Sequence, residues 1–169
     1  MERFITSIEA SLESENWLAA LFMALAMPDI CRSLERPDIS PKTTGKWYKD
    51  WVTRYIEGEY TAGRFEECKF YAQDFWLYRC SCLHAGVDPE NKKRMMKFNF
   101  TPPPGLGRLV HLNHYNGKLQ LQIDVFCRDM IAAVNRWYEE VKEDPVIINR
   151  MDGLISISSA SFGSFIHFS

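Results

Sequence analysis

The chain has no uninterrupted apolar run of the roughly 20 residues needed to cross a bilayer. Its longest apolar run is "WLAALFMALAM" at 17–27. No leader is expected either: acidic and polar residues fill "MERFITSIEASLES", where a signal peptide needs an apolar block. Both absences point to a cytoplasmic protein with no membrane partner. Charge of one sign is also lacking. The net charge of −2 gives no global pull toward nucleic acid, so any such role must come from a local patch. The five cysteines (Cys31, Cys68, Cys80, Cys82 and Cys127) are odd in number and unevenly spaced, which reads as reduced thiols and not a disulfide framework. No C-x-x-C or H-x-x-x-H accompanies them, and no internal repeat or low-complexity segment appears. No metal and no cofactor are expected.

What is present is an ordinary globular balance of 46% hydrophobic and 25% charged residues, with five tryptophans as large core anchors. At 169 residues the chain can bury roughly two thirds of its unfolded surface as one domain. We place that domain at 1–158 and a tail at 159–169. Ser14 or Glu15 starts a buried helix carrying Trp17, Leu18, Leu21, Leu25 and Ile30, which Pro28 should kink or restart. "ERPDISPKTTG" (35–45) reads as a loop. Trp47, Tyr48, Trp51, Val52, Tyr55 and Ile56 form one face of a second helix that Gly58 ends. A third helix runs from about Tyr71 to Ala85, with Gly86 as its left-handed cap.

The period then changes. "MKFNFT" (96–101) alternates as a strand, and two alternating runs flank Asn116-Gly117, a strong hairpin signal. From about Asp124 the helical spacing returns through Phe126, Met130, Ala133, Val134, Trp137 and Val141, until Asp144-Pro145. "VIINRMDGLISIS" adds a final helix. The expected fold class is mainly α: an antiparallel bundle of four to six helices with a small β-hairpin inserted at about 96–123.

The stretch "YRCSCLHAG" (78–86) is where chemistry is densest. Four readings fit it. A structural one has His84 at the negative end of the helix dipole and Arg79 paired with Asp74 or with helix-end carbonyls. A metal site would use Cys80 and His84 at i, i+4, two ligands where zinc needs three or four. A Cys80 nucleophile would sit near a helix C-terminus, where the dipole raises a thiol pKa. Phosphoryl chemistry on RNA would use Arg79 as a fixed fork for phosphate oxygens and His84 as a proton carrier. Five residues on a helix are about 140° and about 7.5 Å apart, a gap that a long arginine can bend back across. Arg108 and His114 are similarly spaced, but both are expected on one face of a strand. Lys92, Lys93 and Arg94 follow His84 closely and can form a basic rim. Tyr71, Phe75, Trp76 and Tyr78 offer either stacking surfaces or core.

"DFWLYRCSCLHAG" (74–86), on a helix of a small bundle, resembles the HEPN superfamily, whose hallmark is Arg, four to six residues, then His near the end of a bundle helix. Asp74, Arg79, Cys80, Leu83, His84 and Gly86 carry the likeness to a group of bacterial HEPN-like proteins. "PDIC" (28–31), the Trp51 helix, "FC" (126–127) and Trp137 extend it. The resemblance implies a metal-independent endoribonuclease acting as a homodimer, or an inactive relative that binds a nucleotide or a partner protein. It implies a setting in defence or a toxin system with an antitoxin. It makes Arg79 and His84 the catalytic pair. Cys80 and Asp74, with Lys92, Lys93 and Arg94, are placed at the substrate. Active members often carry Asn, Asp or His where this chain has Cys80.

Overall fold

A computed structural model describes residues 1–36, 44–85, 98–105 and 107–157. Seven α-helices and three strands make up the described residues: α1 (Glu2–Glu13), α2 (Trp17–Glu35), α3 (Thr44–Tyr55), α4 (Glu57–Thr61), α5 (Ala72–Ala85), β1 (Phe98–Thr101), β2 (Asn113–Tyr115), β3 (Lys118–Gln122), α6 (Ile123–Val141) and α7 (Pro145–Asp152). A single 3-10 turn, Glu66–Cys68, precedes α5. The protein is mainly helical, as its periodicities predict. The expected tail (159–169) and the Gly86 cap lie outside the described residues.

α2 is the central element. It packs against α1, α3, α5, α6 and α7, and buries Ala20, Leu21, Ala24, Leu25, Met27, Cys31 and Leu34. Its length and composition alone would also suit a membrane-crossing helix. Asn16, not Ser14 or Glu15, caps its start by accepting from the Ala19 N–H. Ser14 instead closes α1, a helix that the sequence reading omits. α2 does not restart at Pro28. A helix-interior proline costs about 3 kcal/mol, and the burial of Ala24, Leu25 and Met27 against neighbouring helices exceeds that. Nearby, the Tyr48 hydroxyl donates to the Leu25 carbonyl at 3.1 Å. At the far end Arg150 Nη1 donates to the carbonyls of Leu34 and Glu35, satisfying groups that a helix C-terminus leaves open.

α3 ends at Tyr55 and not at Gly58, which lies inside α4. α6 ends at Val141, three residues before the Asp144-Pro145 dipeptide expected to end it, and Asp144 instead caps α7 by accepting from the N–H groups of Val146 and Ile147.

The predicted hairpin forms at Asn116-Gly117, both at positive φ (50° and 75°), which suits a type I′ turn. Asn113 pairs with Gln120 and Tyr115 with Lys118. The strand region holds more than a hairpin, however. β1 adds to the other edge of β3 in parallel, Phe98 opposite Leu119, giving the order β1-β3-β2. Arg108 lies in the segment before β2, so it shares no strand with His114. Phe70, Phe75, Phe98, Phe100 and Phe126 form an aromatic cluster that joins the sheet to α5 and α6.

His111 lies against Tyr60 at the end of β3, ring centroids 5.4 Å apart, with its side chain only 7% exposed. Its Nδ1 accepts from the Gln122 N–H at 3.1 Å; its buried Nε2 has no hydrogen-bond partner among the described residues, the nearest carboxylate oxygen being Asp129 Oδ2 at 3.8 Å. Burial pushes the imidazole down to about 4. A histidine held below its ordinary value stabilises the fold fully above about pH 6.5, and that stability is lost as pH falls toward 4. We expect the native state to lose roughly 2 kcal/mol between pH 7 and pH 4.5 through this group. Urea titrations of wild type and His111→Gln should show it: the variant is weaker at pH 7 but much flatter with pH. Equal pH slopes would contradict the assignment.

Candidate functional site

The site is built where α2 meets α5. Asp29 follows Pro28 on α2, and Arg79 projects from α5 toward it. Arg79 Nε donates to Asp29 Oδ2 at 2.7 Å, and Nη2 forms an ion pair with the same oxygen at 2.6 Å. The remaining arm turns along its own helix: Arg79 Nη1 lies 2.5 Å from His84 Nε2. The arginine thus spans the gap between positions 79 and 84. Its guanidinium sits 5.3 Å from the centre of the Trp76 ring. Trp76 is braced by Tyr48, with ring centroids 5.4 Å apart, and by Gly45. A Cβ at Gly45 would come within 2.9 Å of the indole, so α3 needs glycine at this position to seat the ring.

The three polar groups differ in exposure. The Arg79 and Asp29 side chains are 14% and 22% exposed, whereas His84 is exposed in the last turn of α5. Burial raises the Asp29 carboxyl above its ordinary value, and the adjacent Arg79 charge opposes that rise. An N–H of Arg79 can bond His84 Nε2 only if that nitrogen offers a lone pair, which requires a neutral imidazole carrying its proton on Nδ1. The result is a line of carboxylate, guanidinium and imidazole, the first two anchored and the last in contact with solvent.

Trp76 is the one aromatic singled out in the sequence that touches this line among the described residues. Asp74 does not pair with Arg79. It sits in the first turn of α5 and accepts from the Tyr71 N–H at 2.9 Å, closing the helix start. Cys80 is half-buried, one turn before His84. Among the described residues no group of three or more His, Cys, Asp or Glu side chains is placed to hold a metal. Lys92, Lys93 and Arg94 lie outside the described residues. Of the aromatics, Phe75 is core, Tyr78 packs against Phe98 and Phe100, and the Tyr71 hydroxyl donates to Glu66.

Asp29 is the residue that sequence reasoning missed. "PDIC" stood out as a motif, but a contact across 50 positions leaves no local signature. No protein-family model, curated protein or solved structure matches this chain.

Proposed function

We propose that Arg79 and His84 are the working pair of a metal-independent endoribonuclease of the HEPN type, acting as a homodimer in the cytoplasm. The observation that carries this reading is the 2.5 Å approach of Arg79 Nη1 to a solvent-exposed His84 Nε2. Asp29 retains Nε and Nη2, so Nη1 is the arm available to substrate. A phosphate oxygen drawing Nη1 away from His84 frees the imidazole lone pair in the same motion. Nε2 then takes the proton of the ribose 2′-hydroxyl. The 2′-oxygen bonds to phosphorus, the bond from phosphorus to the 5′-oxygen breaks, and that oxygen takes a proton from water or from His84 of the partner subunit. Arg79 stabilises the charge gathering on the phosphoryl oxygens. The products are a 2′,3′-cyclic phosphate and a 5′-hydroxyl.

Purified protein is therefore expected to cut single-stranded RNA in excess EDTA and leave cyclic phosphate ends. Loss of cutting in EDTA, or linear 3′-hydroxyl ends, would contradict the mechanism. One observation favours a second reading: Asp29 already neutralises the Arg79 charge. A non-catalytic module that binds a nucleotide or a partner protein such as an antitoxin needs no more than this. It predicts a thermal shift with nucleotides and no products.

A further inference from the structure

Trp47, on α3, is met by three cations. The Arg36 guanidinium lies 4.5 Å from a ring centroid of Trp47, that of Arg32 4.9 Å, and the Lys46 ammonium 5.8 Å. Like charges gathered this closely repel one another. Among the described residues one carboxylate answers them: Glu35, which pairs with Arg32 and also accepts from the Trp137 indole N–H at 2.6 Å. Arg36 and Lys46 are exposed, and no described carboxylate forms an ion pair with either. Among the described residues the charges of Arg36 and Lys46 therefore have no ion-pair partner, in a chain whose net charge is −2.

The cluster adjoins the candidate site along α2. Asp29 and Arg32 lie at i and i+3 of α2, on one face, and Arg36 follows as its C-cap, within about 10 Å of rise of Asp29. On α3, Gly45 and Tyr48 face the Trp76 ring beside Arg79, while Lys46 and Trp47 leave the same turn in other directions, Trp47 toward Arg32 and Arg36. We propose that Arg36 and Lys46, gathered by Trp47 together with Arg32, bind the phosphates of the RNA strand whose scissile phosphodiester lies at Arg79 and His84. This rests on the RNA reading above. The guanidinium supplies a planar fork and the ammonium a point charge for successive phosphates. Cationic side chains beside an aromatic ring suit single-stranded nucleic acid, whose binding is strongly salt-dependent. Trp47 is a positioning residue: it holds the cations where the strand passes.

The test uses the full chain carrying His84→Ala, so that RNA is bound without being cut. Binding of a fluorescein-labelled, mixed-sequence single-stranded RNA is followed by anisotropy over a salt series. Adding Arg36→Ala and Lys46→Ala should weaken binding about tenfold or more at low salt. It should lower the log–log salt slope by about 1.4, the share of two single-strand phosphate contacts, with the melting temperature unchanged. Trp47→Ala should weaken binding likewise, and Trp47→Phe, which keeps a ring, should retain most of it. Unchanged affinity and slope would overturn the proposal while leaving the nuclease reading intact if His84→Ala still stops cutting. Lost affinity in a chain that never cuts would support the cluster and remove the nuclease reading. Absence of RNA binding at low salt, or equal binding of heparin through the same residues, would overturn the proposal.

Discussion

His84→Ala is expected to reduce RNA cleavage by about 10² to 10⁴, the contribution of a positioned proton carrier. The same change should move the melting temperature by no more than about 2 °C, because His84 is exposed and contributes little packing. Initial rates on a labelled RNA and a thermal melt of the same preparation measure both effects. A variant that still cuts at the wild-type rate removes His84 from the chemistry. One that stops cutting only because it melts several degrees lower reassigns it to the fold.

Arg79→Ala is expected to behave differently. It should abolish cutting and also destabilise the protein. The change strands Asp29, a carboxylate 22% exposed whose burial already disfavours its charge. Breaking a fully buried pair costs about 3–5 kcal/mol. Allowing for the partial exposure here, the loss should be about 1–3 kcal/mol, or roughly 5 °C in melting temperature. The sign of its pH dependence follows from Asp29. Without Arg79 the folded-state carboxyl is raised further above its unfolded value. Such a group favours the fold below the unfolded value and loses that contribution as pH rises through the folded one. The deficit of Arg79→Ala relative to wild type should therefore be larger at pH 7 than at pH 4. The Asp29→Ala, Arg79→Ala double variant should be at least as stable at pH 7 as Arg79→Ala alone, because no stranded charge remains. A deficit that is the same at both pH values, or a double variant that is the sum of the singles, would mean that the two side chains do not act as a pair.

The sequence made some of this legible and hid the rest for physical reasons. Helices α3 and α6 announce themselves because each carries a continuous apolar face, as in Phe126, Met130, Ala133, Val134 and Trp137 of α6. The Asn116-Gly117 turn is legible because its backbone conformation restricts which residues fit. Pro28 misleads as a helix break, since its local penalty is outweighed by burial supplied from other helices. The β1–β3 pairing is a parallel contact between segments about 20 positions apart, and alternation alone cannot name a partner. Arg79 and His84 share one helix, so their meeting could be reasoned from helical geometry. Asp74 looked like a partner for Arg79 because it is near in sequence. Its place in the first turn of α5 turns it toward the Tyr71 N–H, and the ion pair comes from α2 instead. The cations around Trp47 are likewise drawn from two helices.

The central claim is that one phosphodiester is gripped by Arg79 and His84 together. Nitrogen-15 NMR of the His84 ring, with and without a 2′-O-methyl RNA that binds but cannot react, tests it most directly. The account predicts an Nε2 resonance in the free protein that reports the contact with Arg79, and a change in it on RNA binding that Arg79→Ala removes. A His84 spectrum that stays the same while RNA is demonstrably bound would contradict it.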